Sequence, residues 1–273
     1  MLRMESETGW WLITHTDHAR LAGDFAAAWG NAQFRRTEPR ARVLKGIACH
    51  DDGWATRDAH PSITQQGKPS AFSTELVGKY SAFEEIDLQE YLAVRDRAVR
   101  IIAEEDPYAG VLISMHTYNL LSVHADRSTI APEGLELLDA FLARQQGYQD
   151  KLLTDIAEDA TLTWPEMSYE TITEHFHLLQ ACDNLSLLTC VAFAAPAHLL
   201  HPLPLNNGGT AEVKVLPIGP RHFHLAPWPF AETKLRLNFP GRHVMGKLFA
   251  DSQSLEAAFH ASPVEQLTVT LSA

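Results

Sequence analysis

Residues 174–190 read EHFHLLQACDNLSLLTC and repeat apolar side chains at helical spacing. One side of the predicted helix is apolar: Phe176, Leu179, Leu187 and Cys190. We expect this helix to begin at Pro165 and to end near Ala194. Asp183 falls on the apolar side, where an ionised carboxylate is costly unless it has a partner. Asp183 is therefore predicted to pair with a polar group of the protein, such as a backbone amide or a serine, or to bind a metal ion.

A second predicted helix lies near the start of the chain, after a short strand or extended lead-in over residues 10–14. Thr16 is a plausible N-cap and Gly30 a plausible end. The apolar side of this helix is formed by Leu21, Ala22, Phe25 and Trp29. His18 lies one turn before Leu21 on the same side, so it faces the core, either as a hydrogen-bonded core histidine or as a ligand.

A third helix is predicted after Pro39, and it ends in residues 48–54, ACHDDGW. Asp51 follows Leu44 and Ile47 on the apolar side, and His50 precedes it. We see no Lys or Arg near these helix ends that could neutralise Asp51. Three helices thus each bury a ligand-type residue.

These buried residues predict one metal site made from His18, His50, Asp51 and Asp183. Two imidazoles and two carboxylates form a mixed nitrogen and oxygen set that suits a divalent metal, namely Fe, Mn, Co or Zn. One or two ions are compatible with the sequence.

The remaining sequence predicts a mainly α fold with a small β-rich C-terminal subdomain. Further helices are expected over residues 84–105, from Asp106 through an apolar run that contains His116, and over residues 132–157. Past Pro196 the chain turns to short alternating runs typical of strands, with one short helix near residues 252–260. We place the helical domain at 1–195 and the β-rich subdomain at 196–273.

Composition limits the classes of function. The chain has 22 basic and 34 acidic residues and a formal charge of -12, which argues against binding nucleic acid through phosphate contacts. No run approaches the ~20 apolar residues of a membrane span. The three cysteines predict no disulfide framework. We expect a cytoplasmic protein that acts on a small-molecule substrate, without membrane or nucleic-acid partners, and the oligomeric state is left open.

The order His, His-Asp and distant Asp resembles the HD-domain superfamily of metal-dependent enzymes. The segment ACHDDGW matches the His-Asp helix end, and QACDNLSL resembles the closing Asp segment. This resemblance covers roughly residues 10–195 and implies an HD-like helical domain.

The chain is also similar to a family catalogued as domain of unknown function 3891. The matching segments are WLITHTDHARLAG, HDDGW, GKPSAF, DPYAGVLISMH and HLLQACDNLSL. This resemblance supplies no reaction, but it draws attention to His116, which ends one of the segments.

Related HD enzymes imply two kinds of chemistry. With one metal, the site binds a phosphate ester and activates water for hydrolysis. With two metals, added histidines complete a second site, and some such enzymes are di-iron oxygenases. A non-catalytic metal or ligand sensor is a third possibility.

Three more residues are candidates for the reaction itself. His116 is the best candidate for an added metal ligand or a substrate contact, and a core histidine is the alternative. Asp52 and Asp58 could orient water or act as the general base, and solvated loop carboxylates are the alternative.

Overall fold

Strands from both ends of the chain form one sheet in the computed structural model, which describes residues 1–77 and 87–273. The strands are β1 (Leu2–Glu5), β2 (Gly9–Ile13), β3 (Ala197–His198), β4 (Leu203–Pro204), β5 (Thr210–Ala211), β6 (Lys214–Gly219), β7 (His222–Ala226), β8 (Lys234–Met245) and β9 (Val264–Ser272). Seven of them pair in the order β1-β2-β8-β9-β7-β6-β3, and β4 and β5 form a separate pair. Neighbouring strands of the large sheet are antiparallel except for β7 and β9.

The predicted mainly α, HD-like fold with a small β-rich C-terminal subdomain is wrong. About 51% of the chain is helical, but the large sheet includes residues 2–13 as well as strands from the last third of the chain. Strand β2 hydrogen-bonds to β8, with Trp10 opposite Val244 and Leu12 opposite Arg242. The physical reason is long-range strand pairing, which local periodicity does not reveal. The division at residue 195 stays a prediction.

The helices are α1 (His15–Ala28), α2 (Arg40–Ala48), α3 (Ala55–Asp58), α4 (Leu88–Glu105), α5 (Pro107–Asn119), α6 (Pro132–Ala157), α7 (Trp164–Met167), α8 (Tyr169–Cys190) and α9 (Ser252–Ala261). Short 3₁₀ turns occur at Asp52–Trp54, Thr74–Leu76 and Arg127–Thr129, and a π turn follows α5 at Leu120–His124. The predicted bounds of α6 agree with the structure. Part of the helix predicted over 84–105 lies outside the described residues, and its described part begins at Leu88.

Two helix starts differ from prediction because a hydroxyl nearby offers a better cap. Thr14, rather than Thr16, is the N-cap of α1, and its side chain accepts a hydrogen bond from the amide of Asp17. The helix expected to run from Pro165 is broken at Ser168, whose hydroxyl accepts from the amide of Thr171 and starts α8. A satisfied amide at the new start stabilises each cap.

The sheet supports the helices that carry the predicted ligands. Its inner face contributes Ile13, Phe239 and Val269 to a core shared with α1 and α8. On the other side, Trp10 and Val244 pack with α9. Because β2 leads through Thr14 directly into α1, the sheet fixes where α1 begins.

The helices form a layer in which α1 contacts α2 and α8, while α5 contacts α2, α4, α6 and α8. Helix α5 is buried on all sides from Tyr108 to Thr117, as its apolar sequence predicts. Among the described residues, no helix is long and apolar enough to cross a membrane.

Candidate metal centre

All five predicted metal ligands come together in the interior of the helical layer. They form two overlapping groups, and the ligand atoms within each group lie within 4.8 Å of one another. One group is His18, His50 and Asp51, and the other is His50, His116 and Asp183. Each of the five residues is buried. Helices α1, α5 and α8 and the turn after α2 supply them, so residues far apart in the sequence share one small volume. Their role as metal ligands stays a prediction.

Four distances between imidazole nitrogens and carboxylate oxygens are close to those between the ligands of a metal ion. The Nε2 atom of His18 lies 3.3 Å from Asp51 Oδ2 and 3.5 Å from Asp183 Oδ1. The Nε2 atom of His50 lies 3.3 Å from Asp183 Oδ1 and 3.7 Å from Asp51 Oδ2. Donors held ~2.1 Å from a tetrahedral ion lie roughly 3.4 Å apart. These four distances are close to that value, although the four residues fall into two overlapping groups of three rather than one group of four.

The hydrogen bonds of His18 fix the orientation of its imidazole ring. The hydroxyl of Ser186 donates to the backbone carbonyl of His18, at 2.7 Å. Because that hydroxyl has only one proton, it accepts from His18 Nδ1, at 3.0 Å. Nε2, the atom that faces Asp51 and Asp183, carries the lone pair in the neutral imidazole and lies within hydrogen-bond distance of Asp51 Oδ2.

His50 is oriented by the backbone of the helix that precedes it. Its Nδ1 donates to the carbonyl of Ile47, at 2.7 Å. Its Nε2 is buried and makes no hydrogen bond to a described residue. Such an atom is costly in a protein interior unless it has a partner. Two imidazole nitrogens thus face two carboxylates, and a cation between them would satisfy all four groups.

Asp51 has a charged partner that the sequence prediction missed. Nη1 of Arg95, on α4, donates to Asp51 Oδ1 at 2.5 Å, and its Nε donates to the hydroxyl of Tyr91 at 3.2 Å. Burial alone would raise the pKa of Asp51, but Arg95 and then His50 hold it well below the usual range. Arg95 lies between Leu92 and Val99 on the buried side of its helix, so the criterion that selected Asp183 could have found it.

A glycine allows Arg95 to approach this closely. Gly53 lies in the turn after Asp51, and a Cβ atom there would overlap the carbonyl oxygen of Val94 and lie 2.8 Å from the amide nitrogen of Ala98. The turn that carries His50 and Asp51 therefore packs directly on the backbone of α4.

Asp183 connects the four-atom group to His116. Its Oδ2 lies 3.9 Å from His116 Nε2, while its Oδ1 faces His50 and His18. Burial lowers the pKa of His116 to about 3, so its imidazole is neutral at neutral pH. The Nδ1 atom of His116 is buried and has no hydrogen-bond partner among the described residues.

The two carboxylates attract positive charge strongly. Burial disfavours the imidazolium form of His50, but Asp51 and Asp183 outweigh this effect and raise the pKa of His50 to about 9. A metal ion between these groups competes with that proton. We therefore expect metal affinity to increase with pH.

The structure places Asp52 and Asp58 outside both groups of ligand atoms. Asp52 forms an ion pair with Arg20, at 2.9 Å. Asp58 is buried, pairs with the amino group of Met1 at 2.8 Å, and lies 3.0 Å from His15 Nδ1. Burial would raise the pKa of Asp58, but His15 and the Met1 amino group lower it. Their role as general bases stays a prediction.

A cavity of about 300 Å³ lies apart from this centre. It is lined by Trp29, Arg36, Glu166 and His175 among others, and none of the five predicted ligands lines it. The candidate site is the group of converging donor atoms, because these atoms indicate a specific chemistry, whereas the size of a cavity indicates none. The side chain of Asp183 is 10% exposed and that of His50 is 0% exposed, so Asp183 is the more accessible of the two.

Comparisons with known proteins identify the family. A family model described as protein of unknown function (DUF3891) matches residues 1–245. No curated protein matches the chain, and no solved structure does. These comparisons add nothing to the HD-domain resemblance. Since the match spans most of the 273 residues, the chain belongs to the DUF3891 family of proteins of unknown function.

Proposed function

We propose that this protein is a metal-dependent hydrolase that cleaves a phosphate ester of a small molecule. Four side chains would hold a divalent ion: His18, His50, Asp51 and Asp183. The observation that carries the proposal is the pair of buried imidazole nitrogens directed at two buried carboxylates. Hydrogen bonds to Ser186 and Ile47 direct their Nε2 atoms toward the carboxylates.

The donor set also narrows the metal. Two nitrogens and two carboxylate oxygens suit Fe, Mn, Co or Zn rather than Ca or Mg, which prefer oxygen ligands. When bound, such an ion lowers the pKa of water and polarises phosphoryl oxygens. Four protein ligands leave coordination positions open on an ion that accepts five or six ligands.

The residues of the chain have separate tasks in this reaction. A water oxygen bonds to phosphorus as the ester P–O bond breaks, and the leaving oxygen takes up a proton, so no oxidant or reductant is required. His116 is neutral, buried and beside Asp183, which suits it to contact the substrate. Ser186 and the carbonyl of Ile47 keep the two ligand imidazoles in the required tautomer.

The proposal rests on the geometry of the side chains and not on the fold. The sheet that joins both ends of the chain is not part of the HD-like fold expected from the sequence. The same ligand chemistry occurs on unrelated folds, so the site is the proper basis for the functional argument.

Metal analysis of protein purified without chelator tests the proposal. We expect retained or readily bound metal in the natural protein, and turnover of p-nitrophenyl phosphate in the loaded protein. The variant Asp183→Asn should lose the metal, whereas Asp139→Asn, at an exposed pair with Arg127, should keep it. Circular dichroism checks that both variants are folded.

Other results would favour the rival functions. Two irons per chain with visible absorbance would favour a di-iron oxygenase. A bound metal or ligand without turnover of any phosphate ester would favour a non-catalytic sensor. A natural protein without metal affinity, or full metal binding by Asp183→Asn, would contradict the central claim.

A further inference from the structure

The guanidinium of Arg95 lies against Asp51 at the edge of the centre. Arg95 is only 8% exposed and lies with its guanidinium carbon 5.4 Å from the centroid of the Trp54 ring. The hydroxyl of Tyr91 and the Oδ1 atom of Asp51 each accept one of its hydrogen bonds. Three neighbours thus hold this cation in one place.

The two carboxylate oxygens of Asp51 have different partners. Asp51 directs Oδ2 toward His18 and His50, while its Oδ1 is bound by Arg95. Two-metal centres hold their ions about 3.5–4 Å apart, and a carboxylate that bridges them needs both of its oxygens. Asp51 has no free oxygen for such a bridge.

Few ligands remain for a second ion. Once Asp183 Oδ1 faces His18 and His50, its Oδ2 and the Nε2 atom of His116 are left, 3.9 Å apart. In residues 1–77 and 87–273, the groups of three possible ligands contain only the five residues already named. The positive charge of Arg95 also lowers the pKa of His116, in the same direction as burial.

We propose that Arg95 takes the place of a second metal, so that the centre binds one divalent ion. We further infer that Arg95 and His116 form the subsite for the phosphate group of the substrate. Arg95 Nη2 makes no hydrogen bond to a described residue, so it is available to donate to an anion. A guanidinium nitrogen donates charge-assisted hydrogen bonds to phosphate oxygens, and Nη2 can do so while Nε and Nη1 keep their partners. The phosphate subsite rests on the proposed function, whereas the count of one metal rests on the centre alone.

This inference separates the proposed hydrolase from the di-iron alternative. A di-iron oxygenase requires two ions that share ligands. A fixed guanidinium beside one ion instead supplies a second positive charge that cannot take part in oxygen chemistry. An anionic substrate would then lie between the metal and Arg95.

Manganese loading tests the count of metal ions. We expect one Mn²⁺ per chain by elemental analysis, with the electron paramagnetic resonance spectrum of an isolated ion. Two exchange-coupled ions in the natural protein would overturn the inference and leave hydrolysis open. A natural protein that binds no metal would instead overturn the proposed function.

Inorganic phosphate tests the subsite. Calorimetric titration of the manganese-loaded protein should show phosphate binding that weakens about tenfold or more in Arg95→Gln, because a charged donor is lost. Arg95→Lys keeps the charge and guards against a folding defect, and it should weaken binding too, because a lysine has a single nitrogen to share between Asp51 and the anion. The matched control is Arg97→Gln, an exposed position on the same helix. Phosphate affinity equal to that of the control in both Arg95 variants would overturn the subsite.

Discussion

Ser186→Ala should weaken metal binding although Ser186 touches no metal. Its hydroxyl accepts from His18 Nδ1 and donates to the backbone carbonyl of His18, and it is fully buried. Alanine removes both bonds without adding volume. The imidazole then loses the partner that keeps its lone pair on Nε2 and can rotate or change tautomer.

The size of the effect follows from the role of outer hydrogen bonds at metal sites. Loss of such a partner typically weakens metal affinity roughly 10- to 100-fold, which corresponds to about 1.4–2.8 kcal/mol. The buried His18 N–H left unpaired costs about 1–3 kcal/mol of stability in the metal-free protein. Both losses should therefore be measurable in the same variant.

The assay is a titration of Zn²⁺ or Mn²⁺ in competition with a chelator, together with thermal unfolding of the metal-free protein. Thr189→Val is the matched control, because it removes another buried hydroxyl from α8, one that donates to the carbonyl of Leu185 at 2.8 Å. It should leave metal affinity unchanged. Equal affinities for Ser186→Ala and Thr189→Val would refute the view that Ser186 orients His18.

Three further predictions address the surroundings of the centre. Gly53→Ala should destabilise the fold by about 1–3 kcal/mol, because its Cβ has no space against α4, and it should weaken metal binding. Gly147→Ala is the control, because no atom lies within 4 Å of a Cβ there, and it should stabilise the fold by about 0.5–1 kcal/mol. Thermal unfolding measures both changes in stability. Metal binding at pH 7 should release close to one proton from His50, whose metal-free pKa is about 9. Calorimetry in buffers of different ionisation enthalpy measures the number of protons released. Proton release that persists well above pH 9 would contradict the assignment of the proton to His50. Asp52→Asn should change stability by less than about 1 kcal/mol, since it breaks a partly exposed ion pair, and unchanged turnover of a phosphate ester would remove Asp52 as a candidate base.

Helical periodicity predicted where the candidate ligand residues lie. His18, Asp51 and Asp183 were selected because each is a polar residue on the apolar side of a helix or its end, and the structure buries all three together. Periodicity indicates which side of a helix is buried. Polar residues on the buried sides of neighbouring helices therefore lie in the same interior. Convergence was therefore predictable from local patterns.

The partner of Asp51 was missed because only neighbouring sequence was considered. Arg95 is 44 positions away and reaches Asp51 across the contact between α4 and the turn at Gly53. Its position on the buried side of α4 was visible in the sequence, but its pairing was not. A buried cation needs a carboxylate, and the sequence contains many.

The sheet could not be predicted for a different reason. β1 and β2 are four and five residues long, too short for a strong pattern, although Leu2 and Met4 alternate with Arg3 and Glu5. Besides β1, β2 pairs with β8, which is more than 200 positions further along the chain. Pairing over such distances depends on the whole fold and has no local signature.

The pairing of β2 with β8 has a consequence for how the protein is made. A ribosome releases residues 18–183, with every predicted ligand, before it synthesises Lys234–Met245. Until that segment emerges, the strand that leads into α1 has β1 but lacks the second of its two hydrogen-bonding neighbours. The nascent chain therefore presents its histidines and aspartates without the support that sets the start of α1. Any metal that the finished centre binds would therefore enter it after translation of the C-terminal strands.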